Sequence, residues 1–167
     1  MALEIRRLSE SDSRELTRLI TDSYGDGTGM WFARMPSEEE AEAVVRAKLK
    51  MLAEGSIIDN VAVHNGRILG DCEIVIKRHM GILGILVDGA HRGTGVGRAL
   101  LTSSLREALK SGIATVIAEV EEDNHYAVAF FTRNGFQLSG QGANTVERSG
   151  RSWRVVRLEF NLNISRG

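Results

Sequence analysis

Apolar positions along the chain switch between a period of two and a period near 3.6, and the switches mark out the elements. Leu3 and Ile5 alternate with polar residues and predict a short strand. Ser9 with Asp12 forms a capping pair ahead of Leu16, Leu19 and Ile20, which share one helical face. "YGDGTGMWFARMP" is glycine-rich and then aromatic, and reads as a loop ending at Pro36. Ser37 with Glu40 makes a second capping box, and Ala41, Val45, Leu49 and Leu52 then fall on one face until Gly55 closes the helix.

"IIDNVAVHNGRILGDCEIVI" predicts a hairpin. Asn65-Gly66 suits a type I′ turn, where both central residues need positive φ, and Gly70 inside the second strand marks a bulge. "GILGILV" is a buried strand. A helix follows from Gly95 to Gly112 with Leu101, Leu105, Ala108 and Leu109 on its face, then the β-branched strand "ATVIAEV". Asn124 to Asn134 is a short helix ended by Gly135. Two strands, around 136–138 and 153–160, finish the chain across a polar Gly/Ser-rich connection. The order β-α-α-β-β-β-α-β-α-β-β predicts a mixed α/β fold in a single domain over residues 1–167.

Composition narrows the class. The 167 residues are 43% hydrophobic and 26% charged, as in globular domains. Lys+Arg number 21 against Asp+Glu 22, a net charge of -1, which argues against a nucleic-acid-coating protein and a polybasic membrane binder. The lone cysteine, Cys72, excludes an intrachain disulfide, and it is expected to be a small buried strand residue. His64, His79, His91 and His125 are too scattered for a metal site, so no metal is expected. Charges interrupt "MALEIRRLSE" where a signal peptide needs an apolar core, and no apolar run nears the roughly 18 residues of a membrane span. A soluble cytoplasmic protein is expected, bound to neither membrane nor nucleic acid.

The chemistry gathers at "HRGTGVGRALL", where Gly93, Gly95 and Gly97 alternate between a buried strand and a helix. Backbone N–H groups at a helix start are unpaired and favour an anion, and glycine lets a phosphate approach them. Arg98-Ala99 stand where a P-loop needs Lys then Ser or Thr, so that reading fails. Arg98 or Leu100 stands where G-x-G-x-x-G needs its third glycine, so the dinucleotide fingerprint fails too. A turn with no ligand and a generic nucleotide-phosphate site remain as alternatives.

Arg92-x-x-Gly95-x-Gly97, preceded by Ile85-Leu86-Val87 and "DGAH", closely resembles the pyrophosphate loop of the GCN5-related N-acetyltransferase family. The match continues in Asn124, Ala127, Phe131 and Gly135-Phe136, at the places of that family's N-x-x-A-(x)3-Y-x-x-x-G-F segment. The resemblance is good over about residues 55–140. It implies an acyl-CoA N-acyltransferase fold: a central mixed sheet, splayed at the strand ending in Val87, with helices on both faces. It implies acetyl-CoA as donor and direct transfer to a primary amine, on a small molecule, a protein N-terminus or a lysine.

The roles that follow are those of the resemblance. Backbone groups of Ile85, Leu86 and Val87 would hold pantetheine and the developing oxyanion. Arg92, Gly93, Thr94, Gly95, Val96, Gly97 and Arg98 would form the pyrophosphate loop, with Asn124 binding the pantetheine arm or orienting the site. Glu119, five residues before Asn124, is the first candidate to take the amine's proton. Glu121, on the same strand face, is second and Glu73 third. Phe131 replaces the family's tyrosine, so the packing is kept and the hydroxyl is lost. Tyr126, Tyr24 or water would then serve the leaving thiolate. The substitution also favours the rival reading, a non-catalytic or weakly catalytic acyl-CoA-binding regulatory module. Trp31 and Phe32, with Met35, would border the acceptor as an apolar wall. An exposed last strand offers a route to a homodimer.

Overall fold

A computed structural model of the protein describes residues 1–25, 35–148 and 150–163. In chain order it places β1 (Glu4–Arg7), α1 (Ser13–Gly25), α2 (Glu38–Ala53), β2 (Ile57–His64), β3 (Arg67–Lys77), β4 (Met80–Val87), α3 (Val96–Lys110), β5 (Thr115–Glu121), α4 (His125–Arg133), β6 (Gln137–Arg148) and β7 (Arg151–Asn161). Single 3-10 turns precede α1 and follow β4. The seven strands form one sheet in the order β1-β2-β3-β4-β5-β7-β6. Only β4 and β5 pair in parallel, joined by the crossover helix α3 as a parallel connection requires.

The local signals act as expected. Both capping boxes form, at Ser9/Asp12 and Ser37/Glu40. Asn65 (φ 49°) and Gly66 (φ 76°) turn the β2–β3 hairpin. The register slips between Ala62↔Gly70 and Val63↔Ile68, which leaves Leu69 as the extra residue of a bulge. Gly70 is required there, because a Cβ would stand 2.7 Å from Leu100 Cδ1 and 2.9 Å from the Leu86 carbonyl oxygen.

Two expectations are corrected at the C-terminal end. Residues 139–148 are not a polar connection: they continue β6, whose long hairpin with β7 turns near Gly150. The last strand is not exposed either, since β7 lies between β5 and β6 and pairs with both. The free edge belongs to β6.

Strand alternation sends two different sets of side chains to the two faces. On one face α3 and α4 cover a continuous apolar core that includes Cys72, Leu83, Val96, Leu100, Ala118 and Phe131. The other face packs α1 and α2 over Leu8, Val61, Ile68 and Leu86. It also buries charge. Lys48 lies on the apolar stripe of α2 and is 4% exposed. Its ammonium donates to Asp59 Oδ2 (3.1 Å) and Asp71 Oδ2 (2.7 Å), and pairs with Glu73 Oε2 (2.9 Å). Asp59 and Asp71 are 0% and 3% exposed, and each has one Oδ1 with no donor. A proton on Asp59 lets its carboxyl donate to Asp71. Burial, then the Asp71 charge, push the Asp59 carboxyl up to about 10, while Lys48 pulls it the other way. Lys48 itself stays charged: burial opposes its charge, but Asp71, Glu73 and Asp59 outweigh that and raise it well above an ordinary lysine.

Two outcomes are expected. Gly70→Ala should lower stability by about 1–3 kcal/mol through overpacking between Leu100 and the β4 backbone, read as a lower denaturation midpoint in urea. A midpoint equal to the native one would show that the bulge has room to spare. Asp59 holds its proton up to about 10 when folded but ionises near about 3.9 when unfolded, so its contribution to stability falls as pH rises between those values. Asn at this position has no proton to lose and can donate to Asp71. Asp59→Asn should therefore gain on the native protein steadily as pH is raised within that window. A difference independent of pH would contradict the proton on Asp59.

Candidate functional site

The site begins where the sheet opens. Parallel pairing runs from Met80↔Thr115 to Leu83↔Ala118 and stops there. Gly84 to Val87 keep their partners on β3, Glu73 to Gly70, but have none on β5. Alternate N–H and C=O groups of β4 beyond Leu83 are thus left facing the gap, a strand edge in the middle of a sheet. The Val87 carbonyl is occupied, because Arg92 donates to it from Nε (3.3 Å) and Nη2 (3.2 Å). Arg92 therefore ties the glycine loop to the end of β4. Ile85 and Val87 pack toward the α3 side and Leu86 toward the α1 side, so this segment offers backbone, not side chains, to the gap.

The loop is built as an anion cradle. Gly93 (φ 73°) and Gly95 (φ 95°) are left-handed, and a Cβ on either would meet nothing within 4 Å. Gly95 is the N-cap of α3 and supplies no side-chain cap. The N–H groups of Val96, Gly97 and Arg98 precede the first helical bond, Ala99 N–H to Gly95 O at 3.0 Å, so they point out of the helix start. Thr94 Oγ donates to the His91 carbonyl (2.6 Å) and holds the turn. The Val96 side chain is fully buried in the core. Gly97 has a packing reason to be glycine, since a Cβ would lie 3.3 Å from the Phe130 ring and 3.4 Å from Val87. Beside the loop runs a groove of about 620 Å³ lined by Ile5, Gly95, Arg98, Ala99, Thr102, Ser103 and Arg106. Uncapped N–H groups, an open glycine approach and two arginines fit a ligand that carries several phosphates, as coenzyme A does.

Helix α4 walls the loop on the α3 side. Asn124 is the N-cap of α4, and its Oδ1 accepts from Ala127 N–H at 3.1 Å, which fixes the side chain at the helix start. Phe131 is a core residue, 4% exposed, edge-on to Phe130 (5.3 Å) and Phe136 (5.0 Å). Its ring packs in the core between α4 and the sheet. Phe130, against Gly97, borders the loop instead. Tyr126 in the first turn of α4 is 61% exposed and carries a hydroxyl.

On the α1/α2 face one row of positions runs from β2 to β6 at the level of the gap. Asp59 pairs with Glu73 and Glu73 with Gly84. Beyond the gap, Glu119 pairs with Arg157, and Arg157 with Ser139. Glu119 and Glu121 share this face, as their spacing predicts. Glu119 is 11% exposed at its side chain, and its Oε1 accepts from Arg157 Nε (3.1 Å) with Nη2 at the same distance. Glu121 is raised above an ordinary glutamate by burial, then by Asp123, against a smaller pull from Arg151. Met35 is exposed. Trp31 and Phe32 lie outside the described residues.

Four residues here were not read from the sequence. Lys48 and Arg157 look like ordinary surface charges, yet Lys48 follows Ala41 and Val45 on the buried stripe, four-three spacing that places it inside. Asp71 interrupts an apolar strand in the same way. Phe130 was masked by its neighbour Phe131, which carries the motif.

Comparison with known proteins agrees with this geometry. A profile of the acetyltransferase (GNAT) family matches residues 15–136. The L-methionine sulfoximine/L-methionine sulfone acetyltransferase of Pseudomonas paraeruginosa is 23% identical, with 99% of this chain and 98% of that protein aligned. Among solved structures, the ribosomal-protein-alanine N-acetyltransferase of Brucella melitensis superposes with a TM-score of 0.80 at 22% identity, covering 95% of this chain and 99% of its own. A phosphinothricin acetyltransferase of Sinorhizobium meliloti, in complex with acetyl-CoA, gives 0.79 at 21% identity, covering 96% and 89%. No helix among the described residues is long and apolar enough to cross a membrane. With a family match over well over half of the chain, the splayed sheet and the loop in agreement, this chain belongs to the acetyltransferase (GNAT) family.

Proposed function

We propose that the protein transfers the acetyl group of acetyl-CoA to the primary amine of a small amino-acid-like molecule, by direct attack with both substrates bound. The observation that carries this is the unpaired edge of β4 beyond Leu83 ending in a left-handed glycine loop at an uncapped helix start. That edge offers a pantetheine arm the pairing of an added strand, and the loop offers a pyrophosphate its N–H groups. A structural neighbour carries acetyl-CoA, and the relative aligned over nearly the whole chain is named for an amino-acid derivative, L-methionine sulfoximine.

Bound there, acetyl-CoA supplies an acetyl group activated as a thioester. The chain's own groups do the rest. A backbone N–H of Gly84 to Leu86 lies on the gap to stabilise negative charge on the carbonyl oxygen. An ammonium cannot attack, so a carboxylate must take its proton. Glu119 and Glu121 lie on the α1/α2 face of β5 beside the gap, and Arg157 pairs with Glu119. The thiolate leaves with modest help, since thiol pKa values near about 8.5 lie close to neutrality. Tyr126, in the first turn of α4, is an exposed hydroxyl that could donate to it.

The second reading is an acyl-CoA-binding module of weak activity, favoured by Phe131, which brings no hydroxyl and lies in the core. Turnover separates the two.

Acetyl-CoA and CoA should raise the melting temperature, by the equivalent of about 2.7 kcal/mol at a hundredfold excess over Kd, whereas ATP and NAD should not. Gly95→Val, which forces a β-branched side chain into a left-handed conformation at the cradle, should abolish the shift. Acetylation of L-methionine sulfoximine by the native protein would establish the enzyme. A CoA shift without transfer to that compound or to a peptide beginning with alanine would favour the binding module. Stabilisation by none of the CoA compounds would remove the proposal.

A further inference from the structure

Three carboxylates stand on the α1/α2 face near the gap, and their surroundings differ. Glu119 accepts at its Oε1 from Arg157. Glu121 lies at the end of β5, where pairing with β7 stops at Val155. Glu73 is held differently. Its Oε2 pairs with Lys48, but Lys48 is shared with Asp59 and Asp71. With one proton between the two aspartates, one positive charge faces two negative ones. Glu73 is the member of this group that reaches solvent, its side chain 28% exposed against 0–5% for the other three. The unbalanced negative charge therefore emerges at Glu73.

Position agrees with charge. Gly84 is the first residue of β4 beyond the last β5 pair, directly across from Glu73. A Cβ on Gly84 would lie 3.3 Å from Glu73 Oε1. The carboxylate thus occupies the room above a residue that has no side chain, at the edge of the gap. The groups that face it are Lys48 from α2, Asp59 from β2, Asp71 from its own strand, and Glu119 with Arg157 across the gap. From β4 nothing ionisable intrudes.

We propose that Glu73 is the carboxylate that receives the acceptor's ammonium and takes its proton, and that Lys48, fixed by Asp59 and Asp71, is the positioning residue that holds Glu73 over Gly84. This rests on the acetyl-transfer reading above. One N–H bond of the ammonium breaks, its proton passes to Glu73 Oε1, and the freed lone pair forms the bond to the thioester carbon. The carbon–sulfur bond breaks and its electron pair leaves on sulfur. The second proton lost by nitrogen ends on the thiolate, and Glu73 returns its own to solvent through its exposed face.

The test compares Glu73→Gln, Glu119→Gln, Lys48→Met and, as control, Glu42→Gln on the outer face of α2, with L-methionine sulfoximine and an alanine-leading peptide as acceptors. Glu73→Gln should lower kcat by a factor of about 100 or more, exceed the loss in Glu119→Gln, and erase the acidic limb of the pH–rate profile. The acetyl-CoA melting shift should stay intact. Glu73→Asp, a shorter carboxylate, should restore part of the rate. A readout independent of turnover is the 13C carboxyl resonance of Glu73, identified by its absence in Glu73→Gln. In the CoA-bound protein it should move on adding L-methionine sulfoximine, and lose that response in Lys48→Met. Should Lys48→Met fail to fold, the Glu73 comparisons and the resonance decide alone. Native turnover with Glu73→Gln within about threefold of native, or a resonance indifferent to the acceptor, would overturn the assignment of Glu73 and leave acetyl transfer standing. A native protein that acetylates no amine would overturn both.

Discussion

The parallel pairing of β4 with β5 ends after Leu83 and Ala118, in the middle of the sheet rather than at its rim. A ladder that stops there leaves backbone groups of β4 without partners, and such groups are costly unless something satisfies them. The protein satisfies one itself, by turning Arg92 back onto the Val87 carbonyl. The others face a gap whose far wall, β5, is kept straight by seven consecutive pairs with β7. Only one side of the opening is free to take a ligand. The glycine loop at the end of β4 then presents a second set of unpaired N–H groups beside the first.

The two faces of the sheet divide the labour at this opening. The α3/α4 face is apolar and closely packed, down to a glycine at 97 that lets Phe130 and Val87 meet the first turn of α3. It fixes the loop. The α1/α2 face carries charge across the sheet from Asp59 to Arg157. Buried ion groups seldom add stability over apolar packing, and the three buried between α2 and the sheet, Lys48, Asp59 and Asp71, are better explained by what they position. Lys48 anchors Glu73 at the edge of the gap, and the proton on Asp59 keeps the deeper part of the group close to neutral.

Much of the fold was legible because local rules and global packing point the same way. Ser9, Ser37, Asn65-Gly66 and Gly70 each specify one local geometry, and each adopts it. The polar stretch 139–148 was not legible as strand. Gly140 and the serines argue for a loop, and pairing of Ser139 and of Asn144 to Arg148 with β7 carries the strand past an irregularity between them. The order of β6 and β7 was hidden for a similar reason, since nothing local says that the last strand inserts beside β5. At the site, the loop and the gap follow from "ILV" and "RGTGVG", because glycine and backbone do the work. The charged row does not. Lys48, Asp71 and Arg157 are surface residues by type, and only the register brings them together. Phe131 shows the limit of a motif: it keeps the place of the family's tyrosine, but its ring belongs to the core.

The most direct measurement is amide hydrogen exchange, residue by residue, with and without saturating CoA. If the gap and the helix start hold the ligand by backbone N–H groups, protection should rise among Gly84 to Leu86 and Gly93 to Arg98. It should change little along β1, β2 and β6. Exchange at those two segments unaffected by CoA, or protection confined elsewhere, would contradict a site built on the opening between β4 and β5.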